Sequence, residues 1–392
     1  MTSQSTAPAG RRVAAPAGPE RDAAFTEALD VLVERRDEFA RQGHVPKDYI
    51  ALLKRAGMFR ASTPARFGGE PMAPSDFMRL VERVSAVDPA TGWVASFGSA
   101  LQYFSALPTS SQERIYADGP DIAFAAGMFP MQKAETVEGG FRVSGVWQFA
   151  SGCKGADILG VGLAGGPETK GRPLTALVSP EEVEIVDNWD VAGMRGTGSH
   201  AIRADGVFVP ADMTFIRGGE PTIDEPLTRY PAVAYAAQVL AVVALGAARG
   251  ALDYAHAVGA AKASITGGGG RGMRPSYQAG LGHAEAELRS ARAFFYEGTD
   301  EVWDRVVRGD VVRDEDRVLL RLGATHAAHV GRRAILDVFD LAGTGAIYES
   351  HPLQRYLQDG IIPAQHAMLQ SGTYEASGAV LLGLEPAVPS FP

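Results

Sequence analysis

The chain has 392 residues, 46% of them hydrophobic and 21% charged, so it is long enough for two or three packed domains and has the composition of a folded protein. It carries 37 Lys and Arg against 46 Asp and Glu, a net charge of -9, and no segment concentrates basic residues, which argues against nucleic acid as a partner. The single cysteine, Cys153, excludes an internal disulfide and a cysteine-based metal cage. It favours a reducing compartment, so we expect a cytoplasmic protein.

Two segments invite a targeting or membrane interpretation. Residues 1–20 are rich in Ala, Pro, Ser and Thr but have no apolar run after Arg12, which predicts a disordered tail rather than a signal peptide. The run from Pro231 to Ala248 is nearly long enough to span a membrane, yet it is rich in alanine, contains Gln238 and leads into Arg249. A buried bundle helix is the better interpretation, and no membrane partner is expected.

The first part of the chain has a helical pattern. Apolar residues recur every three or four positions over residues 22–39, and further helical segments continue to Pro108. One of them is predicted to be capped by Ser75 and to end near Val87. We therefore predict a helical domain over residues 21–118.

From about residue 119 the spacing of apolar residues changes from every three or four positions to every second position. Residues 141–149 alternate apolar and polar side chains after the turn pair Gly139-Gly140, which predicts a strand preceded by a hairpin. A small β-barrel-like domain is expected over residues 119–218. Its other predicted strands are short and separated by Gly and Pro clusters: residues 158–163, 174–178, 184–189 and 200–209.

Helical patterns resume beyond Pro226. They are interrupted at Gly267–Gly272, near Gly309 and at Gly343–Gly345, which leaves four long segments with alanine-rich faces. These predict a four-helix bundle over residues 219–392. The expected fold class is thus mainly α with a β-insert.

Several segments resemble nucleotide-binding or metal-binding motifs, but each lacks a residue or a neighbouring element that the motif requires. Gly196–Ala201 matches the dinucleotide fingerprint letter for letter, but a strand is predicted after it where that site needs a helix. Gly267–Gly272 lacks the Lys-Ser/Thr of a phosphate loop. A di-iron bundle would need two Glu-x-x-His helices, and only Asp253 with His256 comes near. No nucleotide or metal site is expected.

Three further segments carry a family resemblance: Asp88–Val94 (DPATGWV), Trp147–Gly152 (WQFASG) and Met194–Ser199 (MRGTGS), which leads to Val207–Pro210. Their order resembles that of the acyl-CoA dehydrogenase fold, and more closely that of the two-component flavin-dependent monooxygenases built on it. The oxygenase components of 4-hydroxyphenylacetate 3-hydroxylase, of steroid-ring hydroxylation and of dibenzothiophene oxidation belong to this group. The resemblance spans about residues 22–385.

The resemblance implies a cofactor and a reaction. Reduced flavin, either FMN or FAD, would come from a separate NAD(P)H:flavin reductase and lie between the β-domain and the bundle. There it would react with O2 to a C4a-hydroperoxyflavin and pass one oxygen atom to an aromatic or polycyclic small molecule. No metal is implied. Family members form tetramers through the bundle, so a homotetramer is expected.

The resemblance also assigns site residues. Ser151 matches a serine that holds the proton on flavin N5, although it could instead satisfy backbone groups at a strand end. His366 matches a histidine near flavin C4a, which would act as a base or hydrogen-bond donor, although it could instead cap a helix. The other cofactor-binding candidates are Trp93, Gly127, Met128, Trp147, Phe149, and Gly343, Thr344 and Gly345, the last three facing a neighbouring subunit's cofactor.

The substrate side departs from the family pattern. Phenol-hydroxylating members usually have a histidine a few residues past the Thr91–Val94 segment, and this chain has none there. Ser99 or Gln102 is the candidate polar contact in its place. The substrate therefore need not be a phenol, and oxygen could go to carbon, nitrogen or sulfur.

Two other functions stay open. An acyl-CoA dehydrogenase-like desaturase needs a glutamate as α-proton base, but the matching positions, Ala236 and Ala367, have no acid within two residues. Residues 261–267 also lack the Arg-x-x-Phe-Gly that contacts FAD in such enzymes. The second alternative is a non-catalytic relative that binds flavin or another ligand.

Overall fold

The computed structural model describes residues 18–260, 270–387 and 391. Most of the predicted tail (residues 1–17) and residues 267–269 of the predicted glycine loop lie outside this set. Within it, a group of helices is followed by two β-sheets and then by a second group of longer helices. This order confirms the predicted fold class.

The N-terminal domain is helical up to Ile115. It contains α1 (Pro19–Gln42), α2 (Lys47–Arg55), α3 (Pro74–Val87), α4 (Pro89–Ser96), a 3-10 helix (Phe97–Ala106) and α5 (Thr109–Ile115).

The two ends of α3 differ in how well the sequence predicted them. Ser75 does not cap the helix: the N-cap position is Ala73, and the Ser75 hydroxyl donates instead to Asp300 on a later helix. At the other end Asp88 leaves the helical conformation, and its carboxylate accepts the Thr91 backbone N–H at 2.9 Å. Asp88 therefore stops α3 and begins α4, as an N-cap does.

The β-domain consists of two four-stranded sheets, in the orders β1-β4-β5-β8 and β2-β3-β7-β6. The five predicted strands and the hairpin are present, whereas β1 and β8 were not predicted. Gly127 and Pro130 interrupt the alternation of apolar and polar residues in β1, and β8 is only three residues long. The strands are β1 (Phe124–Gln132), β2 (Glu135–Val137), β3 (Gly140–Trp147), β4 (Ile158–Leu163), β5 (Leu174–Val178), β6 (Glu184–Val186), β7 (Ala201–Pro210) and β8 (Thr214–Ile216).

Among the described residues of the C-terminal domain there are three long helices rather than four. The fourth predicted helix is wrong as a single element, because Pro352, Gly360 and Pro363 divide the chain after Gly343 into short helices and 3-10 turns. The helices are α6 (Pro226–Arg229), α7 (Ala232–Ala260), α8 (Pro275–Val307), α9 (Asp314–Ala342), α10 (Leu353–Asp359) and α11 (Gly372–Leu381).

Helix α7 contains the apolar run of the sequence. Among the described helices it alone is long and apolar enough to cross a membrane, but 78% of its most apolar stretch is buried inside the protein. Gln238 on this helix is buried with its amide paired, accepting from Tyr230 and donating to Thr299. The helix is a core element, as predicted.

Helix α7 packs against α3 on one side and α9 on another, and the contacts are unusually close. A Cβ added at Gly246 would lie 2.3 Å from the carbonyl oxygen of Glu82 on α3. On α9, a Cβ at Gly331 would lie 2.7 Å from the carbonyl oxygen of Ala244 on α7. The close packing expected from the alanine-rich faces is therefore present.

We expect Gly246→Ala to lower the free energy of unfolding by about 1–3 kcal/mol, because the new methyl group forces α3 away from α7. The matched control is Gly282→Ala on the exposed face of α8, where an added Cβ has no neighbour within 4 Å. That control should be neutral or stabilising by up to about 1 kcal/mol. Urea denaturation of both variants measures the difference, and equal midpoints would contradict the proposed constraint.

Candidate active site

Trp93 on α4 joins the two predicted catalytic residues. Its indole Nε1 donates to the Ser151 hydroxyl at 3.2 Å, and Trp93 and Ser151 are both only 8% exposed. Its ring meets the His366 ring edge-on, with the centroids 5.7 Å apart. Ser151 follows β3, whereas His366 lies between two 3-10 turns after α10, so three separate parts of the chain meet here.

The Ser151 hydroxyl belongs to a buried chain of hydroxyl groups. It lies 2.6 Å from the Ser199 hydroxyl, which is in turn 2.6 Å from the Thr197 hydroxyl. The chain ends where the Thr197 hydroxyl meets the carbonyl oxygen of Met194 at 2.8 Å. Because that carbonyl can only accept, Thr197 donates to it, Ser199 donates to Thr197 and Ser151 donates to Ser199.

A single carboxylate ties the turn that carries Thr197 and Ser199 to the C-terminal domain. Met194 has left-handed backbone geometry (φ 57°), and its N–H donates to the carboxylate of Asp359 at the end of α10. Burial, followed by the nearby Asp88 carboxylate, raises the pKa of Asp359 to about 7. Asp359 is thus a partly neutral group at physiological pH and not a fully charged surface residue.

His366 is partly buried and uncharged near neutral pH. Burial, together with the positive charges of Arg217 and Arg321, lowers its pKa to about 4. Its Nδ1 accepts the Met368 backbone N–H at 3.3 Å, so His366 caps the 3-10 turn Ala367–Leu369. Capping is the alternative role that the sequence left open for this residue. Since Nδ1 is the acceptor, the hydrogen of the neutral ring is on Nε2, which makes Nε2 a donor.

An apolar surface of the β-domain lies around Phe149. This residue is 69% exposed and has left-handed backbone geometry (φ 61°), which is rare for a bulky side chain and is a feature of functional sites. Phe129, whose backbone pairs with Gln148, is 60% exposed, and Met131 is 40% exposed. Exposed apolar side chains grouped in this way suit a planar ring system as ligand.

The remaining predicted cofactor residues fall in different places. Gly127 on β1 has no room for a side chain, since a Cβ would lie 2.8 Å from the Cβ of Trp147. The Met128 sulfur lies 3.7 Å from the Thr175 hydroxyl. Trp147 is fully buried between the two sheets and donates to the carbonyl of Gly162 at 2.7 Å, so its ring does not belong to the apolar surface.

The glycine segment after α9 is exposed. Gly343, Thr344 and Gly345 lie on the surface next to Ile347 and Tyr348, which are 63% and 68% exposed. The segment is therefore exposed to solvent, and no hydrogen bond joins it to Ser151 or His366 in the part of the chain that the structure describes.

Both predicted substrate residues are buried in the 3-10 helix Phe97–Ala106 and bonded internally. The Ser99 hydroxyl donates to Ser96, and the Gln102 amide donates to the carbonyls of Leu227 and Tyr230 at 2.6 and 2.8 Å. The amide nitrogen of Gln102 is therefore occupied in holding α6 in place.

Sequence reasoning missed four residues near the site. Thr197 and Ser199 lie in the Met194–Ser199 segment but were given no role. The only feature of the sequence that could have indicated one is that hydroxyl residues occupy alternate positions of this turn. Arg217 and Arg321 were not considered, although Arg321 stands in an otherwise apolar stretch of α9. Over the described ranges, no three His, Cys, Asp or Glu side chains are grouped so as to hold a metal ion.

Two family models match the chain. The acyl-CoA dehydrogenase N-terminal domain matches residues 21–116, and the acyl-CoA dehydrogenase C-terminal domain matches residues 238–371. Among solved structures, that of 3-HSA hydroxylase from Rhodococcus sp. RHA1 superposes with a TM-score of 0.86 at 23% identity, covering 93% of this chain and 97% of that one. These matches establish the fold.

Relatives with higher identity carry functional names. Indole-3-acetate monooxygenase from Pseudomonas putida is 42% identical, covering 93% of this chain and 94% of that protein. The oxygenase component of an FADH2-dependent resorcinol hydroxylase from a Rhizobium species is 32% identical, covering 90% of this chain and 91% of that protein. These relatives favour neither the desaturase nor the non-catalytic alternative. The chain therefore belongs to the flavin-dependent monooxygenase oxygenase components built on the acyl-CoA dehydrogenase fold, enzymes that use reduced flavin from a reductase partner, with O2, to oxygenate aromatic small molecules.

Proposed function

We propose that this oxygenase component acts on an aromatic carboxylic acid of the indole-3-acetate type, with Ser151 and His366 as its catalytic residues. The observation that carries the proposal is the junction at Trp93, whose ring contacts both residues in a buried setting. The substrate class is supported by the 42% identical relative, which is named for indole-3-acetate.

The residues around this junction fit a flavin. Phe149, Phe129 and Met131 offer exposed apolar side chains for the ring, and Ser151, two residues beyond Phe149, offers a polar atom. Bound reduced flavin would supply the activation of O2 and the transfer of one oxygen atom to the substrate. FMN and FAD both remain candidates.

The direction of hydrogen bonding gives Ser151 a defined role. Its hydroxyl donates to Ser199 and accepts from Trp93, so its proton is committed and one lone pair is left. A hydroxyl with a free lone pair accepts an N–H, and reduced flavin carries one at N5. We assign Ser151 to hold that proton in place, and Thr197 and Ser199 to position Ser151.

His366 complements Ser151 as a donor. Its Nε2–H is available because Nδ1 is used by Met368, and burial keeps the ring neutral. Trp93 and Phe97, whose rings lie 6.5 Å apart, exclude water on one side. A dry site favours oxygen transfer over loss of hydrogen peroxide.

The assembly and location proposals rest on other features. The exposed surface at Gly343–Gly345 with Ile347 and Tyr348 suits contact with another subunit, in line with a homotetramer. The reductase partner would be an NAD(P)H:flavin reductase that delivers flavin by diffusion. A cytoplasmic location is consistent with the single, buried Cys153, since burial raises the pKa of its thiol to about 11 and keeps it unreactive.

The function is tested by supplying the protein with an NAD(P)H:flavin reductase, flavin, indole-3-acetate and 18O2. We expect one labelled oxygen atom in the product, detected by mass spectrometry, and no product without the oxygenase. Consumption of O2 with release of hydrogen peroxide alone would refute the substrate class. Reduction of an electron acceptor by an acyl-CoA thioester without O2 uptake would instead support the desaturase.

We expect Ser151→Ala to lower the yield of product per flavin oxidised by about 10-fold and to raise hydrogen peroxide release correspondingly, because the lost acceptor no longer holds the flavin proton. Ser199→Ala should give a smaller effect in the same direction. Ser290→Ala, which removes an exposed hydroxyl on α8, is the matched control and should behave as wild type. A yield for Ser151→Ala equal to that control would show that the serine only satisfies its buried neighbours.

We expect His366→Ala to bind reduced flavin within about twofold of wild type but to lose about 100-fold in product formation, a typical contribution of a positioned proton donor. His366→Asn should recover part of the loss, because an amide also donates. The exposed His283→Ala serves as control. Since His366 titrates near pH 4, the wild-type product yield should show no step from this residue between about pH 6 and 8. An unchanged yield in His366→Ala would rule out the assigned role.

A further inference from the structure

Near His366 a buried arginine is left without an acidic partner. Arg321 on α9 is 9% exposed, and its one hydrogen bond runs from a terminal nitrogen to the carbonyl oxygen of Met368 at 3.1 Å. Its Nε is buried and has no hydrogen-bond partner. Within the described ranges, no Asp or Glu oxygen lies within 4.0 Å of this guanidinium. The Arg321 guanidinium also lies 5.5 Å from the centre of the Phe391 ring, and Tyr103 is near enough to interact with its charge.

This arrangement is unfavourable for the protein on its own. Transferring a guanidinium out of water costs several kcal/mol unless a counter-charge compensates. Elsewhere the chain provides one: Arg60, which is 1% exposed, pairs with Glu70 and Asp121. The sequence is rich in acids, 46 against 37 basic residues, so the lack of one beside Arg321 is a specific feature of this place.

The position of Arg321 points to the substrate. Met368, which it contacts, is two residues beyond His366, and the charge of Arg321 is close enough to lower the pKa of that histidine. A second arginine without a carboxylate within 4.0 Å, Arg217, acts on the same histidine. Its guanidinium lies 4.9 Å from the ring of Tyr103 and donates to the Tyr103 hydroxyl at 3.3 Å.

Arg217 is exposed whereas Arg321 is buried, and the charges of both act on His366. Tyr103 lies on the 3-10 helix Phe97–Ala106, which also carries the substrate candidates Ser99 and Gln102. Among the described residues, no hydrogen bond joins Arg321 to Ser151 or Phe149, the residues assigned to flavin.

We propose that Arg321 binds the carboxylate of the aromatic substrate, with Arg217 adding positive charge at the same subsite. The inference rests on the proposed function and deepens it, because it names the residue that selects an aromatic acid over a neutral aromatic compound. A buried Nε–H donor next to a terminal nitrogen is the geometry with which arginine binds a carboxylate through two parallel hydrogen bonds. The bound carboxylate supplies the counter-charge that no described Asp or Glu provides.

The test compares indole-3-acetate with two neutral analogues, indole-3-acetamide and indole, in wild type, Arg321→Met and Arg321→Lys. Arg333→Met is the matched control, since Arg333 is on the same helix with a side chain that is 55% exposed. Dissociation constants of the three compounds are measured anaerobically with reduced flavin present. The dissociation constant of reduced flavin itself and the melting temperature are measured in parallel.

We expect Arg321→Met to weaken binding of indole-3-acetate by about 100-fold, to leave binding of both neutral analogues within about threefold, and to leave flavin affinity unchanged. Arg321→Lys should lose less, because it keeps the charge but not the paired donors. The melting temperature of Arg321→Met should stay level or rise, since an unpaired buried charge is removed.

Three results would overturn the inference. Equal weakening for indole-3-acetate and its amide would show that Arg321 does not read the carboxylate, and a loss of flavin affinity would assign it to a flavin phosphate instead. A fall in melting temperature with unchanged substrate preference would make it a purely structural partner of Met368. If wild type binds none of the three compounds, the proposed substrate class itself fails, and none of the three results above produces that outcome.

Discussion

The close approach of three helices at α7 is the constraint on which the rest of the structure depends. Because Gly246 and Gly331 lack side chains, α3 and α9 both touch the backbone of α7. α3 leads directly into α4 and Trp93, and α9 carries Arg321 and precedes the segment with His366. The two helical sides of the site are therefore set by the distance at which α3 and α9 pack on one buried helix.

Much of the architecture could be predicted from the sequence because it follows from periodicity, but the site could be predicted only in part. The alternation over residues 141–149 implied that Trp147 and Phe149, two residues apart, share one face of a strand. The structure separates them, since β3 ends at Trp147 and the left-handed backbone of Phe149 turns its ring outward. A conformation that a bulky residue rarely adopts leaves no signal in composition or spacing. The same holds for Ser75, whose partner Asp300 is more than 200 residues away and unpredictable from local pattern.

The site combines two kinds of buried polar group that differ in the free energy required to bury them. The hydroxyl chain from Thr197 to Ser151 is satisfied internally, so it is rigid and inexpensive to bury. Arg321 is only partly satisfied, since its Nε has no hydrogen-bond partner among the described residues, and burying an unpaired charge costs stability. Such a division is expected where one part of a site must hold its shape and another must gain from binding.

The bond between Asp359 and the Met194 N–H links the turn that supports Ser151 to the helix that leads to His366. This hydrogen bond joins the β-domain to the C-terminal domain next to the site. Neither the turn at Met194 nor the segment at Asp359 can therefore be replaced without the other. A chimaera that took its β-domain from a relative would need an acid at position 359 able to accept a hydrogen bond from the new turn. Without that bond, Ser151 and His366 would no longer be held in their present relative positions. The practical unit for engineering substrate range in this fold is therefore the pair of segments together.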